Sequence, residues 1–151
     1  MKTDKRAAGL WIRLAKCYGL VLREVRRVEL RGPLTLPQFD AMAQLLRHTE
    51  GMSAGELSRA LLVTAGNVTG IVARLRAAGW VTRRAHPEDG RAAILQLTPA
   101  GRRLAQSQVA RHEHILARVF ATLRPAEQVR LRNCLERLRH TLESPAAKGD
   151  A

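Results

Sequence analysis

Between Met52 and Leu97 the sequence leaves little choice of fold. Ser53 followed by Glu56 is a capping box. The serine hydroxyl takes an orphan backbone N–H of a new helix, and the glutamate reaches back to the serine's own N–H. Leu57 and Leu61 give that helix one apolar face, and Val63 closes it. Thr64 then caps a second helix, because its hydroxyl accepts another orphan N–H. Val68, Ile71, Val72 and Leu75 recur there at helical spacing, and Gly79 stands where a left-handed residue ends a helix. Two short helices across a tight turn are a helix-turn-helix, whose second helix suits a DNA major groove.

The outward face of the second helix carries Gly66, Gly70, Ala73 and Ala77. At 3.6 residues per turn these lie opposite the apolar stripe, and such short residues let a helix approach a surface closely. Asn67, Thr69 and Arg74 flank them, with Thr64 at the cap. Asn pairs with adenine, Arg with guanine, and Thr contacts a base or a phosphate.

Trp80 to Arg84 and Ala93 to Leu97 read as two strands. Pro87 and the Asp89-Gly90 pair between them are turn signals. A hairpin directly after a helix-turn-helix is a wing. Arg83 and Arg84 stand on its first strand and Arg91 at its tip, beside the second helix.

With these residues the chain resembles the MarR family of winged-helix transcriptional regulators. The resemblance rests on the helix-turn-helix, on Gly66-Asn67-Val68-Thr69-Gly70, on Asp89-Gly90-Arg91, and on Leu97-Thr98-Pro99-Ala100-Gly101. It runs from about Leu34 to Leu104, and the flanking helices fit by length and position. Family members usually carry Ser or Thr after the wing arginine; Ala92 stands here, so that hydroxyl's hydrogen bond is lost. The resemblance implies dimers whose terminal helices interlock, with a ligand cleft between those helices and the winged region. It also implies effectors such as aromatic acids, phenols or coenzyme A thioesters. The peroxide-sensing branch places a reactive cysteine near the start of the first helix; Trp11 falls near that place here.

Charge supports a nucleic-acid partner. Among 151 residues, 26 Lys+Arg face 13 Asp+Glu, a formal net charge of +13. That excess attracts polyanions. A membrane surface is the rival, but no apolar run approaches a spanning helix and no apolar signal region opens the chain, so a cytoplasmic protein is expected. Aromatic residues are only 3% of the chain, so Leu, Val and Ala must fill the core.

The expected fold is mainly α with a small β-wing: a winged helix-turn-helix with long terminal dimerisation helices. Residues 1–34 form the N-terminal dimerisation helix, 35–98 the DNA-binding region, 99–143 the C-terminal dimerisation helices, and 144–151 a disordered tail, in one compact domain. In the first helix Leu10, Trp11, Leu14, Cys17, Tyr18, Val21, Leu22, Val25 and Val28 form a stripe too long for so small a domain to bury alone. In the last, Leu131, Leu135, Leu138 and Leu142 repeat at heptad-like spacing. Both imply a partner copy. Thr35 caps the second helix, with Pro37 in its first turn and Phe39, Met42, Leu45 and Leu46 facing inward; Thr98-Pro99 opens the fifth. Trp11, Tyr18, Phe39 and Met42 are the residues placed to line an effector cleft.

Catalytic and metal chemistry are absent from the pattern. His112 and His114 stand two apart on a helix and point to nearly opposite faces, so they cannot share a metal and are read as surface or interface histidines. Cys17 and Cys134 are far apart and read as buried small hydrophobes, with a redox switch as the alternative. There is no phosphate-binding glycine loop and no nucleophile beside the Glu88-Asp89 pair. No cofactor and no enzyme activity are expected. The sequence reads as a homodimeric, sequence-specific regulator of double-stranded DNA, a repressor released by a small ligand. In that reading Thr64, Gly66, Asn67, Thr69, Gly70, Arg74, Arg83, Arg84 and Arg91 contact DNA, Arg91 probes a minor groove, and Asp89 orients it. The alternative is a non-specific architectural nucleic-acid-binding protein.

Overall fold

The computed structural model of the chain describes residues 5–29, 32–85 and 93–144. Two units succeed one another, residues 1–115 and 116–151. The first holds α1 (Lys5–Glu29), α2 (Leu36–Arg47), β1 (Met52–Ser53), α3 (Ala54–Leu61), α4 (Ala65–Ala77), β2 (Val81–Ala85), β3 (Ala93–Leu97) and most of α5 (Pro99–Phe120). The second holds the end of α5 and α6 (Pro125–Glu143).

The capping box forms as the sequence predicts. Ser53 N–H donates to the Glu56 carboxylate at 2.7 Å, the Ser53 hydroxyl donates to it at 2.8 Å, and Glu56 N–H donates back to Ser53 Oγ at 3.2 Å. The Ser53 backbone N–H, and next its hydroxyl, hold the Glu56 carboxyl below its ordinary value of 4.5. A carboxylate depressed on folding adds stability above its unfolded pKa, and that increment is lost as pH falls through the lower native value. Ser53→Ala should therefore cost about 1 kcal/mol at neutral pH. In thermal melts the gap between wild type and Glu56→Gln should close on acidification; a gap that widened toward low pH would contradict this origin.

α3 ends at Leu62, whose φ of 53° lies in the left-handed region. It is the one non-glycine residue with positive φ among the described residues, and its side chain is 91% exposed. The turn is held by Ser58, whose hydroxyl donates to the Val63 carbonyl at 2.6 Å. α4 ends in a full Schellman motif. Gly79, at φ +73°, donates its N–H to the Arg76 carbonyl at 2.9 Å, and Trp80 N–H reaches the Leu75 carbonyl at 3.0 Å. These bonds satisfy carbonyls that would otherwise be orphaned at the helix end. They also occupy Trp80, so β2 starts at Val81, one residue later than the sequence reading.

The sheet has three strands in the order β1-β3-β2, all antiparallel. β1, absent from the sequence reading, pairs Met52 with Leu95 and Ser53 with Ile94. The β2–β3 register runs from Val81–Leu97 to Ala85–Ala93. The core lies between α2, α3, α4 and the sheet. Met42, Leu45, Leu57, Val68 and Leu75 are enclosed, with Phe39, Met52, Ile71, Val81, Leu95 and Leu97 around them. All are apolar, and their periodic spacing is what fixes the orientation of α4.

Thr98 ties the wing to α5. Its N–H donates to the Trp80 carbonyl at 3.0 Å, its hydroxyl donates to the Gly79 carbonyl at 2.7 Å, and the same oxygen accepts Gly101 N–H at 3.0 Å as the cap of α5. Gly101 lies directly on the Trp80 backbone; a Cβ there would overlap the Trp80 carbonyl oxygen and stand 2.8 Å from its carbon. The Leu-Thr-Pro-Ala-Gly run thus has a packing cause.

The terminal helices keep their apolar faces open. On α1, Leu10, Trp11, Leu14 and Tyr18 are exposed and Val25 is buried. On α6 no side chain is buried, and Leu131, Leu135, Leu138 and Leu142 are all exposed. Cys17 and Cys134 are exposed too, contrary to the sequence reading, because both sit on helices that find little cover within one chain. Arg124, a weak cap by residue type, is served by Glu127, whose carboxylate accepts the Arg124 N–H at 2.9 Å and its guanidinium at 2.8 Å.

Candidate nucleic-acid interface

α4 presents its small face to solvent. Gly66, Gly70, Ala73 and Ala77 are all exposed, and a Cβ at Gly66 or Gly70 would meet nothing within 4 Å. Val68, Ile71 and Leu75 on the other side are buried, which fixes the helix rotation. Thr64 caps the helix, its hydroxyl accepting Asn67 N–H at 3.4 Å. The Thr69 hydroxyl donates back to the Ala65 carbonyl at 3.0 Å, and the residue is exposed.

Helical spacing divides the polar and cationic side chains between two flanks. Asn67 and Arg74 lie on one side of the small face, Thr69 and Arg76 on the other. Arg76 is absent from the sequence reading, yet it stands seven residues after Thr69, two turns along the same edge. Its flank faces β2. There Ala73, Arg76, Ala77, Val81, Thr82 and Arg83 line an open groove of about 490 Å³. Arg83 and Arg84 are both exposed. None of Arg74, Arg76, Arg83 and Arg84 has an ion-pair partner among the described residues. Unpaired guanidiniums around a small-residue helix face can meet phosphate without first breaking an internal bond.

Arg91, Asp89 and the other residues of 86–92 lie outside the described residues. The four effector candidates fall into two pairs. Trp11 and Tyr18 are each 67% exposed on α1, whereas Phe39 and Met42 on α2 belong to the buried core. Phe39 also stacks on His112, with ring centroids 4.7 Å apart and planes at 24°. That contact joins α2 to α5, and helical spacing around His112 alone gives no sign of it. Among the described residues no His, Cys, Asp and Glu side chains cluster as a metal site, and no helix is long and apolar enough to cross a membrane.

Comparison with known proteins agrees with this geometry. The sequence model of the MarR family matches residues 33–92. The HTH-type transcriptional repressor Rv2887 of Mycobacterium tuberculosis is 35% identical over 105 residues, covering 70% of this chain and 75% of that protein. The crystal structure of a MarR family transcriptional regulator from Silicibacter pomeroyi is 31% identical, with a TM-score of 0.76 over 95% of this chain and 99% of that one. A structure of Bordetella bronchiseptica BpsR, described as showing regulation of its DNA binding by 6-hydroxynicotinic acid, is 25% identical, with a TM-score of 0.75 over 92% and 96% of the two chains.

Proposed function

From the premise that this chain belongs to the MarR family and is a transcriptional regulator, we propose that it binds a pseudo-palindromic operator as a homodimer. It acts as a repressor released by a small aromatic acid. The observation that carries this reading is the open face of α4, where glycines and alanines stand between Asn67 and Arg74 on one flank and Thr69 on the other. Such a face admits base edges, and Asn67 and Arg74 supply the bidentate groups that read them. Arg83 and Arg84 sit on a strand beside the helix, so they contact phosphates, which position the protein without reading sequence. Arg91 enters a flanking minor groove, with Asp89 orienting it.

The dimer is supported by the leucine face of α6 and by the part of the α1 apolar face from Leu10 to Tyr18, both uncovered in one chain. The ligand class is supported by the likeness to BpsR and by the surplus of arginine, which suits an anion. Trp11 and Tyr18, exposed on α1, are the proposed lining, while Phe39 and Met42 are taken up by the core.

A titration of the purified protein against its own upstream DNA, with random duplex as competitor, tests the reading. Upstream DNA should win by about 10³-fold or more. Arg83→Ala or Arg84→Ala should weaken both DNAs alike and flatten the salt dependence by about one unit per lost contact. Equal affinity for both DNAs would mean a non-specific architectural protein. A change in base preference without a change in salt slope would remove Arg83 and Arg84 from the phosphate role.

A further inference from the structure

The groove between α4 and β2 has a chemistry of its own. Two of its six lining residues are arginines, Arg76 from the helix and Arg83 from the strand, and none is acidic. The remaining walls are Ala73, Ala77, Val81 and Thr82, so the floor is short and one hydroxyl is at hand. Both arginines are exposed and lack ion-pair partners among the described residues. If α4 occupies a major groove and the wing the adjacent minor groove, as proposed above, one sugar-phosphate strand passes between them, on the side where this groove opens.

We propose that this groove is a phosphate seat, in which Arg76 and Arg83 close on one backbone phosphate of the strand that passes between α4 and the wing. Arg76 is then a positioning residue. It sets how deeply α4 enters the major groove and reads no base. Ala73 and Ala77 are part of the seat, since a larger side chain at either would fill the space the phosphate needs. The inference rests on the DNA-binding reading above and adds the residue, the partner atom class and the coupling between helix and wing.

The test is a salt titration of DNA affinity for the full-length wild type, Arg76→Ala, Arg83→Ala, the double variant, Arg76→Lys and Ala73→Leu, on upstream and random duplexes. Melting curves should first show that all are folded, which exposure of these side chains favours. Arg76→Ala should weaken both duplexes on the order of tenfold per dimer and flatten the log–log salt slope by less than about two units, because Arg83 still holds the shared phosphate; the double variant should flatten it by about two units, one phosphate per protomer. Arg76→Lys should keep the slope, because charge is retained. Ala73→Leu should weaken binding and flatten the slope although no charge is removed. The double variant should lose less than the product of the two single losses, as expected of groups sharing one partner.

An unchanged slope in the double variant, or full multiplicative losses in it, would overturn the shared seat. The underlying reading fails separately: if wild type does not prefer upstream DNA, sequence-specific regulation is wrong, while the Arg76 slope effect is still read on random duplex. Failure of wild type to bind any DNA would overturn both.

Discussion

Leu135→Glu combined with Leu138→Glu should yield a folded monomer that binds its operator at least about 100-fold more weakly than the parent. The two leucines are 42% and 46% exposed on a helix that buries no side chain within its own chain. Their replacement therefore removes nothing from the monomer's core. In the proposed homodimer the same positions would form part of a heptad-like seam, where paired glutamates would repel and lose apolar contact. A dimer holds two half-sites at once, and that second, effectively intramolecular contact is worth about 10²–10⁴ in affinity. Sedimentation and operator titration of one preparation check both statements. A double variant that remained dimeric would remove α6 from the interface, and a monomer binding as tightly as wild type would show that one recognition helix suffices.

Gly101→Ala should have the largest effect on stability. Its Cβ would overlap the Trp80 carbonyl oxygen, which is backbone and cannot rotate away as a side chain would. The Trp80 carbonyl is also fixed by its bond from Thr98 N–H, and the Trp80 N–H by the Schellman bond to Leu75. Overpacking against so constrained a site costs about 3 kcal/mol. For a domain of this size that lowers the melting temperature on the order of 10 °C. Gly66→Ala is the matched control. Gly66 is also helical, but nothing lies within 4 Å of its Cβ position. There the substitution should stabilise the helix by about 1 kcal/mol through propensity alone. Melting curves of the two variants should move in opposite directions; a Gly101→Ala protein as stable as wild type would show that α5 can shift off the wing at little cost.

Local rules made the helix-turn-helix legible. Ser53 and Glu56, Thr64 and Asn67, and the Gly79 terminus all act within a turn of their own position, and each formed. The rotation of α4 followed from Val68, Ile71 and Leu75, and with it the exposure of Asn67, Thr69 and Arg74. Features set by distant parts of the chain were not legible. β1 is two residues long and has no period to detect; it exists because β3 offers Ile94 and Leu95 as partners. The sequence matched Gly101 to a family pattern, but its cause, contact with Trp80, spans the wing. The stacking of Phe39 on His112 joins residues far apart in the chain. Arg76 was recoverable, since it shares an edge with Thr69, but its importance came only with the groove that β2 completes. The thiols of Cys17 and Cys134 were misjudged because an apolar stripe says which face will be covered, not by which chain.

Hydroxyl-radical footprinting of the purified protein on its own upstream DNA tests the central claim most directly. The account predicts two protected tracts related by an inverted repeat, centred about one helical turn or a whole number of turns apart on one face of the duplex, as two recognition helices of a dimer require. Protection should fail when Asn67→Ala and Arg74→Ala are combined in a variant that circular dichroism shows to be folded like the wild type. Uniform protection along the fragment, or a single tract without symmetry, would contradict a sequence-specific dimer.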